Sequence, residues 1–183
     1  MQRRELLRAV AGLAALQFIP RTAEAAARFG ARVHEHAARA SADFGTLTPA
    51  QQLLVSQLCD RILPTTDTPG ALDVRVPQFI DLLLTEWAED ADRTKFLSGL
   101  GAIDERARSA GQRPFVELGE DDKITLMHAL DSERKAKEGA GAAFAQLKSL
   151  TVFAYFTSER VTKEVLKTRL YFSTYDGNAA VPS

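Results

Sequence analysis

TPAQQLLVSQLCDRILPTTDTPGALDVRVPQFIDLLL, Thr48–Leu84, places two apolar helical patterns on either side of a proline-punctuated loop. Thr48, Pro49 and Gln51 form a capping box with proline at the first helical position, which starts a helix clearly. Leu54, Leu58 and Ile62, with Val55 and Leu63 beside them, then make one apolar stripe at helical spacing. Pro64 ends that helix, because proline fixes φ, lacks an amide proton and pushes Leu63 out of the α region. Thr68-Pro69-Gly70 is a turn signal, and Pro77 suits the first turn of a new helix, where a missing N–H costs nothing. Phe79, Ile80, Leu82, Leu83, Leu84 and Trp87 make that second helix apolar around much of its girth, as expected of a helix central to a core.

Downstream the same period recurs. Asp90-Ala91-Asp92 reads as a break and cap, followed by an amphipathic helix through Phe96, Leu97, Leu100, Ile103 and Ala107 that ends at Gly111. Phe115 and Leu118 are expected to plug a gap from a short connector. Glu120-Asp121-Asp122 suit the N-terminal end of a fourth helix, where the helix dipole favours negative charge, and Ile124, Leu126, Met127 and Leu130 follow. Asp131 to Gly141 is charged and glycine-containing, a surface loop or a frayed helix end. Phe144 to Phe156 is the longest apolar stretch after the N-terminus, too short for a membrane span and expected as a buried core helix. Ser158 can cap one more short helix through Val161, Val165 and Leu166. Thr168 to Ser183 has no helical period and reads as an extended tail. No segment alternates with period two over a useful length. The expected fold is all-α, a single compact domain of about five or six helices over residues 47–183.

Residues 1–25 read as an address instead. Arg3-Arg4, a spacer, Leu6-Leu7 and Arg8 match the twin-arginine pattern, and the modestly apolar run Ala9–Ile19 is too short to cross a hydrocarbon core. Ala23-Glu24-Ala25 supplies an A-x-A cleavage site, with Ala25-Ala26-Ala27 as an alternative. The expected home is a bacterial periplasm, reached already folded through the twin-arginine translocon, and any attachment to the inner membrane would run through partners. Residues 26–46, rich in alanine and arginine, read as an N-terminal arm, partly helical and mobile unless it docks.

Formal net charge is -1 over 183 residues, and loss of residues 1–25 makes it -3, so nothing favours a nucleic-acid or anionic-membrane partner. A single cysteine, Cys59, rules out an internal disulfide; with apolar neighbours it is expected as a buried small hydrophobe.

The common catalytic signatures fail one by one. Gly139-Ala140-Gly141-Ala142-Ala143 lacks the third glycine and the preceding strand of a dinucleotide loop. There is no G-x-S-x-G elbow, no C-x-x-C-H for haem attachment and no E-x-x-H pair for a di-iron bundle. His34 and His36 are two apart, which turns them to different sides of a helix, and His128 is expected on a helix flank. The clusters Glu86/Glu89/Asp90/Asp92 and Glu120/Asp121/Asp122 read as helix ends and solvated faces. Catalysis, a bound cofactor and a metal site are therefore not expected in this chain.

The leader, the capping-box helix and ILPTTDTPGALDVRVPQFIDLLL together resemble the gluconate 2-dehydrogenase subunit 3 family. The similarity runs through Ile62, Pro64, Thr66, Asp67, Pro69, Gly70 and Ala71, then Val76, Pro77, Phe79, Ile80 and Asp81. A second similar block is FAQLKSLTVFAYFTSERVTKEVL, through Phe144, Leu147, Lys148, Tyr155, Thr157 and Ser158. The family's tail often continues into a glycine- and proline-rich segment, where this chain has Ala179-Ala180-Val181-Pro182-Ser183.

The resemblance implies a small, non-catalytic subunit of a periplasmic sugar or sugar-acid dehydrogenase. Its large partner would be an FAD flavoprotein of the glucose-methanol-choline type, with a multihaem cytochrome c subunit (haem c) commonly taking the electrons. The small subunit would carry the twin-arginine signal (Arg3, Arg4, Leu6, Leu7) for both chains. Pro64, Thr66, Asp67, Pro69, Gly70, Tyr155 and Ser158 are the candidate partner-binding residues. Two other readings stand beside this one. An independent periplasmic binding module would show a ligand-induced melting shift, and a stand-alone oxidoreductase would turn over a sugar when purified alone.

Overall fold

The computed structural model describes residues 22–39, 45–136 and 138–167. The twin-arginine motif and the expected extended tail from residue 168 onward lie outside them. Every regular element among the described residues is helical: α1 Ala23–Arg39, α2 Pro49–Ile62, α3 Val76–Glu86, α4 Asp90–Gly111, α5 Glu120–Ser132 and α6 Gly139–Thr157. A 3-10 turn, Phe115–Glu117, joins α4 to α5, and a π-helical turn, Val161–Val165, follows α6. The all-α expectation holds, with six α-helices among the described residues.

α6 is the hub. It packs on α1, α2, α3, α4 and α5, because Phe144, Leu147, Leu150, Phe153, Ala154, Tyr155 and Phe156 bury side chains around its circumference. Full burial of side chains of this size is worth about 1.5–3 kcal/mol each, so a helix apolar all round holds the bundle from the middle. α3 lies against α6 with Phe79, Ile80, Leu83 and Leu84 buried; Phe79 meets Phe153 edge-on at a ring separation of 5.9 Å. Phe115 and Leu118 are buried from the connector, as their plug role requires.

The helix ends are satisfied locally. Thr48 and Gln51 cap α2 reciprocally. Arg93 of α4 closes the C-terminal end of α3 by donating to the carbonyls of Leu84 (2.8 Å) and Ala88 (3.0 Å). Ser158 accepts from the Val161 amide at 3.4 Å, and the Leu166 amide then reaches back to the Val161 carbonyl, which widens that turn to the π form.

The arm expected over residues 26–46 is helical as far as Arg39. α1 docks against α3 and α6. Ala26, Phe29, Val33 and Ala37 are buried at helical spacing, and Phe29 meets Trp87 edge-on at 5.9 Å. Gly30 lets the helix come close: a Cβ there would sit 2.5 Å from Thr157 Oγ1. His34 Nε2 donates to the Ala154 carbonyl at 2.7 Å, and its ring lies 4.5 Å from that of Phe79. Alanine-rich composition conceals this stripe, since only Phe29 and Val33 in it are large and apolar.

A buried acid then fastens the chain between α1 and α2. Asp81, in the apolar run of α3, accepts from the amides of Gly45 (2.6 Å), Thr46 (3.0 Å) and Leu47 (2.7 Å). Three amides converging on one carboxylate compensate its burial. Burial also pushes the Cys59 thiol up to about 12, opposed by its contact with Thr151. Cys59 is thus the small core residue its neighbours predict.

Candidate functional site

The loop between α2 and α3 begins at Leu63, which leaves the α region ahead of Pro64, and it closes on itself. The Ala71 amide donates to the Leu63 carbonyl at 2.8 Å, which brings the two ends of the excursion together. Asp73 gathers the interior of the turn: one carboxylate oxygen accepts from Thr65 Oγ1 and from the Gly70 amide, both at 2.7 Å. Those hydrogen bonds, the Thr65 one foremost, hold the Asp73 carboxyl below its ordinary value. Gly70 is required by contact, because a Cβ would stand 2.5 Å from the Thr65 amide nitrogen. Arg75 takes a left-handed conformation, φ 57°, and turns the chain into α3, whose second residue is Pro77.

A second brace comes from 86 residues away. Tyr155 Oη donates to the Pro69 carbonyl at 2.7 Å, and Ser158 Oγ donates to the Tyr155 carbonyl at 2.8 Å. The structure therefore joins Pro69, Gly70, Tyr155 and Ser158, four of the seven candidate partner residues, into one unit. Within it Gly70, Tyr155 and Ser158 are buried, and the Tyr155 hydroxyl holds the loop from behind. Pro64, Thr66 and Asp67 are exposed at the tip, together with Thr65. Leu72, just past the closing residue Ala71, is 43% exposed, one of three large apolar side chains so exposed among the described residues. The sequence reading did not single out Leu72; an apolar residue in a loop of hydroxyls and acids was the available signal.

The groups exposed on this loop are of kinds suited to recognition. The tip offers hydroxyls and the Asp67 carboxylate, which accepts from Thr66 Oγ1 at 3.0 Å, on a backbone that is already ordered, with Leu72 as an apolar side chain at the loop's base. Among the described residues no group of three or more His, Cys, Asp or Glu could hold a metal ion. His34 and His36 do not converge: His34 faces the core, and His36 lies near Glu86 at 3.6 Å and against Trp87. His128 is exposed on α5. Gly139 to Ala143 form the first turn of α6, not a phosphate loop. Glu120 pairs with Arg61 at 2.6 Å, and Asp90 with Arg93 at 2.7 Å, which ties these acids to helix ends. No helix among the described residues is long and apolar enough to cross a membrane.

Residues 49–172 match the family described as Gluconate 2-dehydrogenase subunit 3. The chain belongs to the gluconate 2-dehydrogenase subunit 3 family. Comparison with curated proteins and with solved structures returns no match. The matched span opens at the first residue of α2 and takes in the braced loop, the α6 hub and the π turn, while α1 precedes it. As a gluconate 2-dehydrogenase subunit 3 protein, the chain belongs with a subunit of a multisubunit dehydrogenase, and both braces of its loop lie inside the span that marks the family.

Proposed function

We propose that this chain is the non-catalytic small subunit of a periplasmic, FAD-dependent sugar or sugar-acid dehydrogenase. It binds a large flavoprotein of the glucose-methanol-choline type and carries it, folded, through the twin-arginine translocon. It then remains with the flavoprotein as a stabilising subunit, from which a multihaem cytochrome c can take electrons.

The family match over residues 49–172 is the observation that carries this reading. The loop supplies a physical reason for assigning it to docking. Thr65 to Asp67 at its tip and Leu72 at its base are exposed, while Asp73 and Tyr155 fix the backbone between them. A tip already held in one conformation loses little entropy on binding, so more of its contact energy appears as affinity. FAD is loaded in the cytoplasm, and a flavoprotein without a leader of its own needs a partner that has one; Arg3 and Arg4 of this chain answer that need.

Affinity purification of the tagged chain from its native host tests the pairing. Recovery of a flavin-coloured large chain is the expected outcome, and a colourless monomer would refute it. Replacing both Arg3 and Arg4 by lysine is expected to abolish periplasmic dehydrogenase activity while leaving cytoplasmic complex intact. Unchanged periplasmic activity would remove the carrier role.

A further inference from the structure

We propose that docking of α1 gates removal of the leader, and that the bond cut is Ala25–Ala26. This rests on the export reading of residues 1–25. The A-x-A sequence Ala23-Glu24-Ala25 is no open linker: it forms the first turn of α1. Thr22 caps that turn, its Oγ1 accepting from the Ala25 amide at 3.3 Å and its carbonyl from the Ala26 amide at 2.9 Å. Glu24 pairs with Arg28 one turn on, at 2.5 Å. Ala26 is 1% exposed and Phe29 is 6% exposed, so the first turn leads directly into the packed face.

A processing peptidase reads the residues before the cut in an extended strand, and the helical backbone of the first turn of α1 does not offer one. Hydrolysis of Ala25–Ala26 adds water across the peptide bond, leaving a carboxylate on Ala25 and an amine on Ala26. To reach that bond the turn must unwind, and unwinding pulls on Ala26 and the contact that Gly30 makes with Thr157. The alternative cut after Ala27 would discard Ala26 from the core, whereas a cut after Ala25 keeps every buried residue of α1. The leader is therefore removed before α1 docks or through its transient undocking, and the docked precursor retains it.

The test uses the full-length precursor, purified folded and incubated with signal peptidase in detergent, with intact mass read over time. Gly30→Leu is the undocked reference, since the side chain collides with Thr157. The expected result is a single product beginning at Ala26, formed at least about tenfold faster from Gly30→Leu than from wild type. Equal rates would overturn the gate, and a product beginning at Arg28 would overturn the assigned bond. If neither precursor is cut, the leader reading itself fails and the gate with it. Hydrogen exchange in wild type is independent of any variant's folding: amides of Ala26 to Gly30 are expected to be protected, and exchange at the rate of an unstructured chain would overturn the proposal.

Discussion

Lowering the pH from 7 to 5 is expected to loosen α1 before it affects the rest of the bundle, and His34 is the reason. Enclosure between α1, Phe79 and α6 lowers the His34 pKa from 6.5 to about 4, against the opposing hydrogen bond to the Ala154 carbonyl. The folded value lies below the unfolded one, so the unfolded chain takes up the proton first as pH falls. His34 therefore contributes its full stability above about pH 6.5 and loses it progressively down to about pH 4. The whole shift corresponds to about 3 kcal/mol at about 1.4 kcal/mol per pH unit, and about 2 kcal/mol of it is gone by pH 5. For a chain of this length that is a fall in Tm of about 4–8 °C. The carboxylates held low by hydrogen bonds, Asp73, Glu120 and Glu159, lose their contribution only at more acid pH, as it falls through their folded values. Thermal melts of wild type and His34→Gln between pH 7.5 and 4.5 check this, because glutamine can still donate to the Ala154 carbonyl but does not titrate. The variant is expected to start lower and to lose less between pH 7 and 5. Parallel curves over that interval would refute the reasoning, and hydrogen exchange on α1 would locate the loss.

Three further outcomes follow from single contacts. Tyr155→Phe removes the donor to the Pro69 carbonyl, and should cost about 1 kcal/mol and speed hydrogen exchange at the Gly70 and Ala71 amides; unchanged exchange there would deny the brace. Asp81→Ala strands the three amides at Gly45, Thr46 and Leu47, and should lower stability by about 3 kcal/mol in urea unfolding, with a loss under about 1 kcal/mol arguing against the clamp. Cys59 is buried with its thiol raised to about 12, so native chain at pH 8 should resist iodoacetamide and react fully in denaturant; rapid labelling of folded protein would contradict the packing.

Neighbouring residues on the chain are enough to write most of this fold. The Thr48 capping box, the stop at Pro64, the restart near Pro77 and the apolar period from Phe144 to Phe156 are local effects, and each lies where its residues put it. The all-α class and the plug at Phe115 follow from the same short-range grammar. The loop's rigidity was half legible: three prolines announce it, but its anchoring carbonyl and phenol are 86 residues apart. Likewise α1 carries only two large apolar residues, too weak a stripe to fix its partner, and its docking is decided by Gly30 meeting Thr157 and His34 reaching Ala154. Asp81 interrupts an apolar run, and no residue near it in sequence explains why. What the sequence alone determined was where helices start, stop and turn their apolar faces, because those choices depend on residues within one or two turns. What only the tertiary structure decided was which distant groups satisfy each other, since burial makes a lone carboxylate, imidazole or carbonyl costly until the fold brings its partner.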